Sequence, residues 1–518
     1  MRFGDISPLV LVALVLAAGV PLGIFGILIN NYFVVGLVVF AAGVVLLYRT
    51  NFKRYIIFFM IETRHGLNLV DKIARLSPDT WKFFGDIATV VSFGGFGAYY
   101  VARYRNTWKI TGLLGTACLA FMLLMYGYIP AAAGLPVLAA GVLLLRRTEK
   151  PLFHSFATVI VMGTIMFTLY PGFSDVAMLR PFVAVLVGVF GIPALLISML
   201  FSQAFKIALA QSSIPGVSPL LPTVSSSEGP GFFFPGTGIF IPFWQALIAM
   251  ICLLVPHEFA HGVLCRSHKI RLKSAGVLTA GPIPIGAFVE PDERTMRLRR
   301  SRDRMRIYAV GSFMNLIVAL LSLIVLMSVM APMLDAVTQP TGMMVTGVLN
   351  GTPAYGMLKS GFVIKAINDV STNDSEAFYA AVAGLKPGDT AAFLTTNGTF
   401  NLTLSARPDN ASRGYIGIDL QETFQIRDEF RNKYKLQADA IFFLTPTVFW
   451  IFFLSFNIAL VNLLPVVPFD GGKMFEEMMR EFRVRRKRQE LLIKIVIAVI
   501  LALMLLNASP LLFNLFGK

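Results

Sequence analysis

The chain has 518 residues, 56% of them hydrophobic and only 14% charged, with a mean hydropathy of +0.71. Length alone would allow about three or four soluble domains, but this composition excludes them and indicates a polytopic membrane protein. The formal net charge of +16 does not point to nucleic acid, because Lys and Arg fall mostly in short loops between apolar runs. That distribution orients a chain in a bilayer. Cys118, Cys252 and Cys265 lie in or at apolar runs without a CxxC pair, so neither a disulfide scaffold nor a cysteine zinc site is indicated.

In chain order, apolar runs of spanning length are predicted near 7–29, 31–48, 86–103, 107–128, 130–145, 152–170, 182–205, 240–265, 307–331, 440–464 and 490–514. These make about eleven spans. No short signal-peptide pattern stands out, and the run at 7–29 is long enough to remain as a span. Residues 49–76, RTNFKRYIIFFMIETRHGLNLVDKIARL, are basic and spaced as an amphipathic helix on the cytoplasmic surface. The stretch 211–238 is rich in Pro, Gly and Ser and carries one charge, Glu228. It reads as an exposed linker after an N-terminal membrane region, 1–210, of unassigned role.

The span at 239–265 holds His257-Glu258-Phe259-Ala260-His261, with Glu258 its only fully ionised side chain. On a helix, residues four apart share a face, so both imidazoles can reach one metal ion. Glu258, one position along, can poise a water as general base. Charged groups in hydrocarbon cost roughly 2.5–3.5 kcal/mol on insertion scales and are functional by default. The bland alternative is two core histidines with no metal.

Residues 276–290, GVLTAGPIPIGAFVE, follow: apolar, punctuated by Gly and Pro, and too short to span. The basic stretches within 266–306 and 473–488 place those loops in the cytoplasm, and hence 332–440 outside. That exterior segment carries Asn-x-Ser/Thr sequons at Asn350, Asn373, Asn397, Asn401 and Asn410. Parity then puts the basic loops 104–109 and 146–150 outside as well, which leaves the orientation of the first half open.

Residues 333–420 read as a β-rich soluble domain, with strands in MMVTGVL, FVIKAIND, TAAFLTT and FNLTLSA and a helix in SEAFYAAVAGL. Gly351-Thr352-Pro353-Ala354 with Leu358-Lys359-Ser360-Gly361, and Lys386-Pro387-Gly388-Asp389, resemble the carboxylate-loop region and a late turn of a PDZ domain. Such domains capture an extended peptide on a strand edge. A small β-rich spacer without a ligand is the other reading.

Two histidines need a further protein donor. Glu290 and Glu293 come next, but lack the helical context of soluble zincins. Asn462-Leu463-Leu464-Pro465-Val466-Val467-Pro468-Phe469-Asp470-Gly471-Gly472 is the stronger candidate, because its prolines and glycines break a helix in an uncharged run and turn Asp470 inward. As an isolated feature, Asp470 would read as a helix-end turn residue.

HExxH in one span, Asn-x-x-Pro-x-x-x-x-Asp-Gly-Gly in a later one and a PDZ-like insert between them resemble the site-2 protease family of intramembrane zinc metalloproteases. The resemblance covers about 236–518, and the added N-terminal spans resemble archaeal members. It implies one catalytic zinc held by His257, His261 and Asp470, with Glu258 as general base. Gly311-Ser312-Phe313-Met314-Asn315 fits the family's Gly-x-x-x-Asn motif, with Ser312 where many relatives have proline. Asn315 is thereby implied to bind substrate and Asn462 to grip the substrate backbone or the oxyanion, interhelical hydrogen bonding being the plainer role of both. The segment 276–290 corresponds to a membrane-embedded β-hairpin, where Gly286 and Phe288 would touch a locally unwound substrate strand.

The expected fold is a polytopic α-helical membrane protein with this hairpin and an extracytoplasmic PDZ-like domain. Its catalytic core would be split into 239–331 and 440–518. The partners are a transmembrane protein substrate, a peptide ligand of the PDZ-like domain and the lipid bilayer. The expected location is the cell membrane, with the zinc site towards the cytoplasm. Rival readings are another membrane zincin with a glutamate ligand, such as a prenyl-protein endopeptidase, or a zinc-binding transporter or scaffold without hydrolysis.

Overall fold

In the computed structural model the described residues are 41–516, except 46, 48–52, 56–57, 63, 170–178, 210–211, 226–228, 281–282, 350 and 408–409. The apolar run at 7–29 and most of that at 31–48 lie outside them, as does Asn350.

Two strands, β1 (Lys53–Tyr55) and β2 (Phe58–Glu62), precede helix α1 (Arg64–Leu76). Among the described residues of the expected amphipathic helix, only Arg64–Leu76 are therefore helical. The reason is local: Phe58-Phe59-Met60-Ile61 is an apolar run without helical periodicity, suited to a strand. Helix α2 (Pro78–Ala102) starts with proline in its first turn, where the missing N–H costs nothing. Then come α3 (Trp108–Tyr126), α4 (Tyr128–Arg147), α5 (Pro151–Leu169), α6 (Arg180–Phe190) and α7 (Ile192–Ala208). The single span expected at 182–205 is thus divided at Gly191, whose φ of +77° excludes helix continuation. A Cβ at Gly191 would overlap the Ser92 carbonyl and approach Gly94 N, so the break is where α2 and α7 backbones meet.

The expected linker contains β3 (Leu221–Ser225) and β4 (Gly229–Phe234), which with β5 (Ile239–Pro242) form a three-stranded antiparallel sheet. Glycines Gly236 and Gly238, at φ +77° and +72°, make the turn between two apolar, aromatic segments. Helix α8 (Phe243–Ser267), strands β6 (Leu272–Ala280) and β7 (Ile283–Pro291), the short α9 (Glu293–Arg297) and α10 (Ser301–Val325) follow. β6 and β7 pair as the expected hairpin, but β2 pairs with β6 on its other side, in the order β1-β2-β6-β7. Gly276 permits this, because a Cβ there would overlap the Ile61 carbonyl.

Residues 324–446, which begin with a π-helical turn (Leu326–Met330) and α11 (Ala331–Val337), form a compact unit of their own. Strands β8 (Thr338–Val348), β9 (Val363–Ile367), β10 (Val370–Ser371), β11 (Thr390–Thr395) and β12 (Gly398–Thr403), with β15 (Ile418–Ile426), build its main sheet. β13 (Ser405–Arg407) and β14 (Asn410–Tyr415) pair separately, and α12 (Ser375–Ala383) is capped by Asp374, whose carboxylate accepts Ala377 N–H at 2.7 Å. Val345, Ile364, Phe378, Phe393 and Leu402 fill the core.

The chain continues through α13 (Asp428–Lys433) and α14 (Lys435–Asn462) to α15 (Asp470–Glu481) and α16 (Arg486–Phe516). Among the described residues, five helical segments are long and apolar enough to cross a membrane: Pro151–Leu169, Phe243–Ser267, Ser301–Val337, Lys435–Asn462 and Arg486–Leu511. In the larger unit, two clusters surround the functional segments. One joins Val70 and Ala74 of α1 to Ala260, Val263 and Leu264 of α8 and to Ile307 and Val310 of α10. The other joins Ile87, Ala88 and Val90 of α2 to Met305 and Ala309 of α10 and to Leu463, Met474 and Met478 around α15.

Candidate metal centre

Helix α8 places His257 and His261 one turn apart, with their Nε2 atoms 3.2 Å from each other. Asp470, the first residue of α15, brings Oδ2 to 3.1 Å from His261 Nε2 and 3.6 Å from His257 Nε2. Among the described residues these three are the group that could hold a metal ion, their donor atoms lying within 4.8 Å of one another.

The sequence around Asp470 explains how a residue over two hundred positions away arrives there. Helix α14 ends at Asn462 and the chain runs without helical structure to Phe469, through Pro465 and Pro468. A Cβ at Gly471 would overlap the Leu463 backbone, and one at Gly472 the Val466–Val467 peptide. Both glycines therefore let α15 begin directly against the segment that ends α14. Lys473, one turn along, reaches Asp470 Oδ1 at 3.1 Å and leaves Oδ2 to face the imidazoles.

The donor chemistry fits zinc. His261 Nδ1 lies 2.6 Å from the Ile307 carbonyl. A carbonyl only accepts, so Nδ1 carries a proton, and the ring deprotonated at Nε2 offers a lone pair there. Nε2 faces a carboxylate oxygen, a pairing that a proton or a metal cation between them must join. Four-coordinate zinc with bonds of about 2.0–2.1 Å sets its ligand atoms about 3.3 Å apart; the three separations here, 3.1, 3.2 and 3.6 Å, bracket that value. Gly311 of α10 keeps the space open, since a Cβ there would overlap His261 Nε2 and lie 2.6 Å from His257 Nε2.

Glu258 turns toward β7, where Oε2 accepts the Val289 N–H at 3.1 Å. β7 is the terminal strand of its sheet, so the carboxylate sits beside a sheet edge. Asn315 is fully buried on α10, and neither its Nδ2 nor its Oδ1 has a partner among the described residues. Asn462 is half-buried at the end of α14. Gly286 pairs with Leu278 and Phe288 with Gly276 across the hairpin. At Gly286 a Cβ would meet nothing closer than 3.6 Å, so no close approach demands glycine there. Phe288 lines a cavity of about 510 Å³ with Val289, Glu290, Tyr308 and Lys473, the last being the Asp470 partner.

Glu290 and Glu293 are engaged elsewhere: Ser274 Oγ donates to Glu290 at 3.0 Å, and Arg297 pairs with Glu293 at 3.2 Å. Sequence reading alone missed Lys473 and the Ile307 carbonyl. The first has a signal, a lysine one helical turn from the aspartate; a backbone carbonyl has none.

Residues 245–506 match the family model described as peptidase family M50. Over 248 residues the chain is 28% identical to an uncharacterized protein of Methanocaldococcus jannaschii, covering 47% of this chain. The matched region spans 60% of that relative, less than two thirds of its length.

Proposed function

Because the chain belongs to peptidase family M50, the site-2 protease family of membrane metalloproteases, we propose that it is a zinc endopeptidase acting on transmembrane segments. It hydrolyses peptide bonds within or near the spans of membrane protein substrates, as in regulated intramembrane proteolysis. The observation that carries this reading is the convergence of His257, His261 and Asp470 beside a general base. His257, His261 and Asp470 would hold the ion. Zinc held there would supply Lewis acidity to the scissile carbonyl and acidify a water.

The chain's own residues do the rest. Ile307 holds the His261 tautomer through Nδ1, and Lys473 holds the Asp470 carboxylate through Oδ1. The Glu258 carboxylate takes the proton of the attacking water and returns it to the leaving nitrogen. An intact helix hides its carbonyls, so the substrate unwinds and lies as an added strand along β7. β2 covers the β6 side of the hairpin, which favours the β7 edge, next to Glu258. Gly286 and Phe288 would line that strand. Buried Asn315 has amide groups to offer a peptide backbone, and Asn462 would act with it.

Residues 333–420 are taken as an extracytoplasmic PDZ-like domain that screens substrates by binding a peptide end. The zinc site then opens toward the cytoplasm, within about eleven spans. The engagement of Glu290 and Glu293 with other side chains weighs against a glutamate-ligand zincin.

The test pairs zinc quantification with cleavage of a model single-span substrate by the full chain in detergent or liposomes. Wild type should bind about one equivalent of zinc and cleave. Glu258→Gln should keep the metal and lose cleavage by about 10²–10⁴-fold, whereas Asp470→Ala should lose the metal. Full cleavage by Glu258→Gln, or zinc retention by Asp470→Ala, overturns the proposal.

A further inference from the structure

Asp86 lies on α2, outside the segment 245–506 that matches the family, and it is completely buried. Its carboxylate is gripped by Arg306 of α10 in a two-pronged pair, Nε to Oδ1 at 2.6 Å and Nη2 to Oδ2 at 3.0 Å. Tyr104 donates its hydroxyl to the same Oδ1 at 2.9 Å, and Arg105 Nε stands 3.3 Å from Oδ2. The preceding Gly85 lets the helices close: a Cβ there would lie 2.7 Å from Arg306 Cβ. A bidentate guanidinium–carboxylate pair fixes direction as well as distance.

The next residue after Arg306 is Ile307, whose carbonyl accepts the His261 Nδ1–H. One turn further, Gly311 lies under both imidazoles. The axial position of α10 therefore decides both the tautomer-fixing bond and the clearance for the histidines, and a two-pronged buried anchor on that turn comes from Asp86, beside the Arg304–Glu477 pair. From this geometry we infer that Asp86 is a positioning residue for the metal centre: through Arg306 it holds Ile307 against His261. The N-terminal region thus completes the site rather than only anchoring it. The inference rests on the zinc reading above, and its test is built to fail separately from that reading.

The discriminating variant replaces the pair by apolar side chains, Asp86→Leu with Arg306→Met, because exchanging a buried ion pair for packed hydrophobic residues is commonly neutral or stabilising. Zinc affinity is measured by chelator competition on the purified full chain, and the d–d absorption of the Co²⁺-substituted protein reports ligand geometry. Thermal unfolding of the metal-free form reports the fold. The expected result is a metal-free melting temperature close to wild type, an affinity lower by about tenfold, and a changed Co²⁺ spectrum. Unchanged affinity and spectrum in a folded double variant overturn the inference and leave the pair a fold element. If the double variant does not accumulate, Asp86→Glu, which lengthens the clamp by one methylene, takes its place. A lowered affinity with a changed spectrum then supports the inference, and wild-type values for both overturn it. Absence of zinc from wild type instead overturns the proposed function itself.

Discussion

Gly311 and His261 occupy adjoining space so closely that a methyl group on the glycine would overlap Nε2 of the imidazole. The helix carrying Gly311 also supplies the Ile307 carbonyl to Nδ1 of the same ring. One turn of α10 thus bounds His261 on both nitrogens. Gly311→Ala should therefore displace the ring. Overpacking of this kind costs about 1–3 kcal/mol, and zinc affinity should drop by about 10–100-fold. Chelator competition checks it; a wild-type affinity would show that α10 yields instead.

The two glycines after Asp470 act on the other side of the centre. Gly472→Ala should drive a methyl into the Val466–Val467 peptide and tilt the start of α15. Both melting temperature and zinc affinity should fall, the first by an amount corresponding to about 1–3 kcal/mol. Gly384→Ala is the control, since nothing lies within 4 Å of a Cβ there; it should leave both readouts unchanged.

Helices α10 and α15 are also joined by Arg304 and Glu477, with Nε–Oε1 at 3.0 Å and Nη2–Oε2 at 2.7 Å. Both side chains are largely buried, so removing one strands the other. Glu477→Ala should destabilise by about 2–4 kcal/mol, while Glu477→Asp should lose less. Denaturant unfolding in mild detergent measures the difference, and equal losses would refute the importance of the pairing.

His268, just past the end of α8, is buried beside Asp303, with Nδ1 at 3.3 Å from Oδ1. Burial pushes its imidazole down to about 4, against the opposing pull of Asp303, with Arg306, Lys82 and Arg299 adding to the depression. Between pH 6.5 and 4 the unfolded chain then binds more protons at this position than the folded one. The stability contribution is present above pH 6.5 and is lost as pH falls toward 4, on the order of 2–3 kcal/mol. His268→Gln should flatten that part of a melting-temperature profile. An equally steep profile in the variant would assign the acid sensitivity to other groups.

By itself, the sequence determined the parts whose signal is local. HExxH at helical spacing aligns two imidazoles because residues four apart share a face. Long apolar runs name helices, and alternating runs separate 333–420 as a β-rich unit. The stretch Asn462–Gly472 announced a broken helix, since its two prolines and two glycines have few other uses in an uncharged run. Tertiary structure decided what depends on partners distant in the chain. It brought Asp470 to His261 and made β2, read as part of an amphipathic helix, a neighbour of β6 through Gly276. It split 182–205 at Gly191, where a second backbone passes too closely for a side chain. It also joined Asp86 to Arg306 across 220 positions. Close backbone approach and buried charge pairing are properties of two segments at once, and neither segment alone records its partner.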